Sequence, residues 1–153
     1  MSTRAVIARV KGDGWEGRYH HFDGYPTGLG ARLYAVVGQL GVKRALELLV
    51  DEHPVGWSSI HDCDITAQPG YGGDFNDQTH GPRCYCHGER HEQAPLLITD
   101  QSDDCGCEWA YVLSARGVMT VYERQYSPER WRLVATVRLD EAAPDWAAME
   151  TGA

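Results

Sequence analysis

The chain has no apolar run approaching the roughly 18 residues that a membrane-spanning helix needs. Its longest leucine-rich segment, Leu40 to Val50, is interrupted by charge. No basic stretch leading into an apolar run opens the sequence, so no secretory signal is expected and the predicted location is the cytoplasm. No dense cluster of basic residues exists either. The arginines are scattered, the formal net charge is −8 and the sequence pI is about 5.2. That balance argues against a nonspecific nucleic-acid binder, whose affinity comes mostly from neutralising phosphates. No internal repeat is visible. Gly28-Leu29-Gly30 and Gly12-Asp13-Gly14 lack the spacing of a phosphate-cradling loop.

What is present suits one domain. The 153 residues are 42% hydrophobic and 24% charged, enough for one core and short for two. Residues 4–10, RAVIARV, read as a strand that is apolar on both sides. Lys11 to Gly14 is a turn signal, and Trp15 to Phe22 is a second strand, which predicts an N-terminal hairpin. Asp23-Gly24-Tyr25-Pro26 is a turn by composition. Leu29, Leu33, Val36, Val37 and Leu40 then recur at helical spacing. Gly41 ends that helix, and Val42, Ala45, Leu46, Leu49 and Val50 mark a second that stops before Pro54. Near the C-terminus, 108–114, 118–125 and 131–139 carry strand signals separated by short turns, which predicts an antiparallel meander. The expected fold is therefore α+β: one domain over 1–153, an antiparallel sheet of about five strands, and two helices on one face. A Cys/His-rich insert is expected at 61–107, and a flexible acidic tail at 140–153.

The insert region is the unusual part. Residues 58–107 hold all five cysteines, with His61, His80, His87 and His91, and few apolar residues apart from Leu96, Leu97 and Ile98. So polar a segment cannot order itself by hydrophobic burial alone. A bound metal is the expected local staple. Cys84-Tyr85-Cys86 and Cys105-Gly106-Cys107 are matched pairs across an 18-residue gap. Four thiolates suit a closed, tetrahedral, structural zinc site. His87, His80, Cys63 and His61 are alternative donors. The competing readings are free thiols in a reducing compartment and a redox pair.

Two further clusters are chemically dense. His61-Asp62-Cys63-Asp64 could supply a nucleophile and base, or metal ligands. In an extended segment His61 and Cys63 would face one way, and Asp62 and Asp64 the other. On the second strand Arg18, His20 and Phe22 share one face while Tyr19 and His21 share the other, with Asp23 at the strand end. A pocket there would present Arg18 and His20 to an anionic or hydrogen-bonding ligand, with histidine as the natural proton carrier. The plainer reading is a strand edge and turn that support the next helix.

The same stretch carries a resemblance. Gly17, Arg18, Tyr19, His21, Asp23, Gly24, Tyr25, Pro26 and Gly30, placed after an RAVIARV strand, resemble the G-R-Y-x-H-x-D-G-Y-P opening of a group of small proteins from actinobacteria and their phages. The likeness covers about the first quarter of the chain and implies no particular reaction.

Three functions follow as expectations. The first is a protein-binding module with a structural zinc, since five Trp and eight Tyr offer interface anchors. The second is a small hydrolase or transferase using Arg18, His20, His21 and Asp23 with His61 or Asp62. The third is a zinc-containing nucleic-acid module built on Arg83, Tyr85, His87, Arg90 and His91, which the neighbouring Asp100, Asp103, Asp104 and Glu108 oppose.

Overall fold

The computed structural model describes residues 2–72, 80–86 and 94–151. His87, Arg90 and His91, named above as alternative donor or nucleic-acid contacts, lie outside the described residues. Strand β1 (Arg4–Lys11) pairs antiparallel with β2 (Gly14–His20), from Ala5 opposite His20 to Lys11 opposite Gly14. The chain then enters a wide π-helical turn, Pro26–Gly30, which leads into α1 (Ala31–Leu40). Gly41, at φ 81°, breaks the helix and restarts it as α2 (Val42–Leu46), which widens into a second π-helical turn, Glu47–Asp51. That backbone angle is open to glycine at little cost.

The insert then supplies four short strands: β3 (Trp57–Ser59), β4 (Gly70–Tyr71), β5 (Arg83–Cys84) and β6 (Ile98–Thr99). The long strands β7 (Cys107–Leu113), β8 (Val118–Tyr126) and β9 (Glu129–Arg138) complete the sheet. A short α3 (Trp146–Glu150) closes the chain.

The sheet is not the expected five-stranded antiparallel one with two helices. Among the described residues the sheet has nine strands, ordered β4-β5-β3-β2-β1-β7-β8-β9, with β6 also on β2. It is mixed: β1 runs parallel to β7, β2 to β3, and β4 to β5. The fold remains α+β, with three short helices. The β7-β8-β9 meander is antiparallel because its links are short. The link from β2 to β7 is long, so it can return β7 beside β1 in the same direction. Strands of two or three residues leave no alternation to read in a sequence.

The sheet is buried on both faces. On one, Ala5, Ile7, Tyr111, Met119 and Val121 pack against Leu29, Leu33, Val36 and Leu49 of the helical layer. On the other, Val6, Ala8, Ala110 and Val112 pack with Trp15, Ile98 and Cys107. This is why β1 is apolar at every position from Ala5 to Ala8. The Tyr111 hydroxyl crosses the helical layer and donates to the Gly24 carbonyl at 2.6 Å. In α3, Asp145 caps the first turn by accepting from the Ala148 N–H at 3.2 Å, Met149 is buried, and Glu150 accepts from the Thr27 N–H and hydroxyl, both at 2.7 Å. Among the described residues no helix is long and apolar enough to cross a membrane.

Candidate metal centre

The end of the second π-helical turn and the insert meet at one point. His53 follows that turn, Cys84 lies on β5, and Cys86 is two residues further on. Their ligand atoms all lie within 4.8 Å of one another, a cluster capable of coordinating a metal ion. His53 Nδ1 and Cys86 Sγ are 3.3 Å apart. Tetrahedral zinc with its usual bond lengths would set such an N···S pair at roughly 3.6 Å. An ion would therefore need these two side chains to part by only a few tenths of an ångström.

The surroundings hold the donors in place. Trp57 is fully buried and its indole N–H donates to the Leu49 carbonyl at 2.9 Å, which ties β3 to the helical turn. Its ring lies 4.6 Å from the His53 ring, fixing the imidazole from one side. Trp57 is also the ladder partner of Cys84, so these two side chains share the helical face of the sheet. His53 is 5% exposed and Cys84 is fully buried, while Cys86 is half-buried. A cavity of about 490 Å³ opens beside His53, lined also by Leu48, Ile65 and the Arg44–Glu52 ion pair.

The structure brings Cys84 and Cys86 together with His53, and it places Cys105 and Cys107 elsewhere. Cys107 is buried in the apolar cluster on the opposite face of the sheet, with Cys105 packed against it. A nine-stranded sheet thus stands between the two Cys-x-Cys pairs. Burial first, then the Cys105 and Asp104 charges, pushes the Cys107 thiol far up. Burial, then Asp103 and Asp104, raises Cys105. Both are protonated thiols at neutral pH, in an environment that disfavours thiolate. Cys105 has a positive φ of 54° and Gly106 of 79°, and Asp103 and Asp104 accept from the N–H groups of Cys105 and Gly106 at 2.7 and 2.8 Å. The second pair is thus a turn that opens β7. None of the five cysteines forms a disulfide.

The other sequence candidates fall into two places. Arg18 is held by three backbone carbonyls: Nε donates to Val50 at 2.7 Å, and Nη1 to Leu96 at 3.0 Å and Pro54 at 3.3 Å. It fastens the helical turn and the insert to β2. His20 is fully buried, and its Nε2 accepts from the Ile60 N–H at 3.1 Å. Burial chiefly, then the His61 and His21 charges, holds its pKa well below the ordinary value; the Phe22 carbonyl opposes this. His21 bonds through Nδ1 to the Tyr19 hydroxyl at 2.7 Å, and burial followed by Arg4 lowers its pKa. Asp23, at φ 51°, accepts from the Tyr25 hydroxyl at 3.1 Å. His61, Asp62, Cys63, Asp64 and His80 line a separate cavity of about 1080 Å³ together with Arg32.

His53 is the donor that sequence reading passed over. Its local signal, Asp51-Glu52-His53-Pro54, marks a helix stop, and it lies 33 residues from Cys86. Only the return of β5 alongside β3 brings the two together. Comparison with protein-family models, curated proteins and solved structures finds no match in any of the three.

Proposed function

We propose that this chain is a zinc-stabilised interaction module, in which a zinc ion held by His53, Cys84 and Cys86 pins the polar insert to the helical layer. The convergence of one imidazole and two thiols within 4.8 Å carries this reading. Paired thiolate donors with imidazole are the soft set that zinc prefers over magnesium or calcium. The donors come from two segments with little local order of their own. An ion joining them would cross-link the end of the second helical turn to β5 and contribute directly to folding. Three donors fill three of four tetrahedral positions. The fourth falls to water or to a further side chain, and His87 directly follows Cys86 in the sequence.

The interaction half of the reading rests on the face of the sheet away from the helices. Val10, Tyr126 and Leu133 are more than half exposed there. The ladder places Leu133 opposite Tyr122, and Trp131 opposite Arg124, whose guanidinium sits 5.5 Å from the Trp131 ring. Exposed apolar and aromatic side chains beside arginine are typical protein-interface anchors. The net charge of −8 favours a protein over a nucleic acid as the partner.

The test is elemental analysis of protein purified without a metal-affinity tag, followed by cobalt substitution. One zinc per chain, and a cobalt derivative with a thiolate-to-metal charge-transfer band, support the reading. Loss of that band in Cys86→Ser and His53→Ala, and its retention in Cys105→Ser, assign the ligands. Metal-free protein that takes up no cobalt overturns the centre.

A further inference from the structure

At the turn end of the β1-β2 hairpin, on the sheet face away from the helices, lies a cavity of about 530 Å³. That volume falls within the roughly 300–1,000 Å³ usual for small-molecule sites. Trp15, Tyr122 and Trp131 share its wall. The Trp15 ring lies 5.3 Å from Trp131, edge-on, and 6.5 Å from Tyr122. Tyr122 and Trp131 are only half-buried, so part of each ring is open. Trp15 is 4% exposed, yet its indole N–H has no hydrogen-bond partner among the described residues and is not sealed inside the core. A buried indole normally has its N–H bonded. Here that donor is left open on a cavity wall.

The polar rim is held in place around these rings. Asp100 Oδ1 accepts from the Trp15 backbone N–H at 3.2 Å, and Oδ2 from the Gln101 side-chain amide at 3.3 Å. Gly14 permits this approach, because a β-carbon there would sit 2.3 Å from Asp100 Oδ1. A carboxylate can accept about four hydrogen bonds, so Asp100 keeps capacity for a ligand. Asp13 is exposed on the same wall, and its carboxylate has no partner among the described residues. Arg124 braces the aromatic side: its Nε donates to Asp104 at 2.8 Å and its guanidinium lies 5.5 Å from the Trp131 ring. Arg130 Nε reaches only Gln125 Oε1, at 3.5 Å.

This set of groups selects the ligand. Asp13 and Asp100 oppose an anion, and Arg124 and Arg130 oppose a cation. The carboxylates can only accept, while the indole N–H and the guanidiniums can only donate. The ligand must therefore offer donors and acceptors together, and a hydroxyl is both. A proline-rich segment offers carbonyl acceptors with few N–H donors, which leaves the carboxylates unanswered. The open aromatic rings call in addition for an apolar face, and the C–H face of a pyranose suits their negative π-surface.

We propose that this cavity binds a neutral saccharide, with a pyranose ring against Trp131 and Tyr122 and its hydroxyls bonded to the Trp15 indole N–H, Asp13 and Asp100. The site goes beyond the interaction reading and does not depend on the metal. The two sites lie on opposite faces of the sheet, and either can fail without the other.

Protein labelled with nitrogen-15 gives one indole N–H signal for each of its five tryptophans. It would be titrated with cellobiose and maltose, two neutral pyranose disaccharides that differ in linkage, and separately with choline and octaproline. The expected result is a saturable shift of the Trp15 and Trp131 signals with at least one disaccharide, at a dissociation constant on the order of millimolar. The Trp57 signal, whose N–H is bonded to Leu49 inside the core, should stay still. Trp131→Ala should abolish the response. Asp13 is exposed and unbonded, so Asp13→Ala keeps the fold, and it should weaken binding about tenfold. No saturable shift with either disaccharide, an equal response to choline or octaproline, or unchanged affinity in Asp13→Ala would each overturn the assignment.

Discussion

His20 Nε2 accepts a hydrogen bond from the Ile60 N–H at 3.1 Å inside the fold, with no solvent exposure of the ring. That bond requires an unprotonated Nε2, so the folded protein holds His20 neutral. In the unfolded chain the ring titrates near 6.5. Its folded pKa is depressed, so the unfolded state binds the proton more readily. This contribution to stability is present above about pH 6.5 and is lost as the pH falls below it toward the folded value. His21, shifted the same way by burial and by Arg4, adds in the same direction. Urea midpoints measured from pH 5 to pH 8 should fall on the acid side. His20→Gln should flatten that slope relative to the parent chain; an unchanged slope would place the titration elsewhere.

Arg18 clamps the end of the second helical turn and the insert to β2, and its loss has a measurable consequence. Its three carbonyl partners come from two stretches of chain distant in sequence, Val50 and Pro54 at the end of the second helical turn and Leu96 in the insert. Replacing it with alanine leaves those carbonyls short of a charged donor at the joint between β2 and the insert. A loss of about 2–3 kcal/mol is expected, and Arg18→Lys should recover only part of it, because one ammonium cannot reproduce the planar fork. Chemical denaturation of the two variants would check this. Equal stability of Arg18→Ala and the parent would show that the clamp contributes nothing.

Tyr111 makes a comparable claim on the core. Its hydroxyl sits in the helical layer of the core and donates to Gly24 at 2.6 Å, and its ring packs against the turn before α1. Tyr111→Phe keeps the ring and leaves a buried carbonyl without that donor, at a cost of about 1–2 kcal/mol. The chevron or equilibrium melt of that variant should show the loss with no change in secondary structure.

The long elements were legible because their side chains obey a period. The strand signal at 131–139 falls on β9, although a bulge opposite Val121 and Tyr122 shifts its phase, so that Trp131 packs on one face of the sheet and Val137 on the other; the double-sided apolar character of β1 announces a strand buried on both faces. The helical spacing from Leu29 to Val50 is equally direct, and the break at Gly41 falls where a positive φ is needed. The insert was not legible. Strands β3 to β6 have two or three residues each and take their place from partners distant in sequence. The candidate metal donors divide the same way. Cys84 and Cys86 stand out by spacing. The rival pair at Cys105 and Cys107 has identical spacing, and nothing local shows that a sheet lies between them. His53 reads as a helix terminus until β5 folds back against β3.

That division sets up the most discriminating experiment on stability. If zinc is held by His53, Cys84 and Cys86, it binds the folded chain and raises the melting temperature with free metal concentration. A chelator should lower the melting temperature of the parent chain and of Cys105→Ser by the same amount. The half-buried Cys86 can be changed to serine with little packing cost, so Cys86→Ser should melt where the chelated parent does and ignore the chelator. Cys84→Ser is a poorer probe, because that side chain is fully buried beside Trp57 and its replacement weakens the core with or without metal. A chelator effect that vanishes in Cys105→Ser and persists in Cys86→Ser would move the ion to the other face of the sheet and require the β7 turn to rearrange around it.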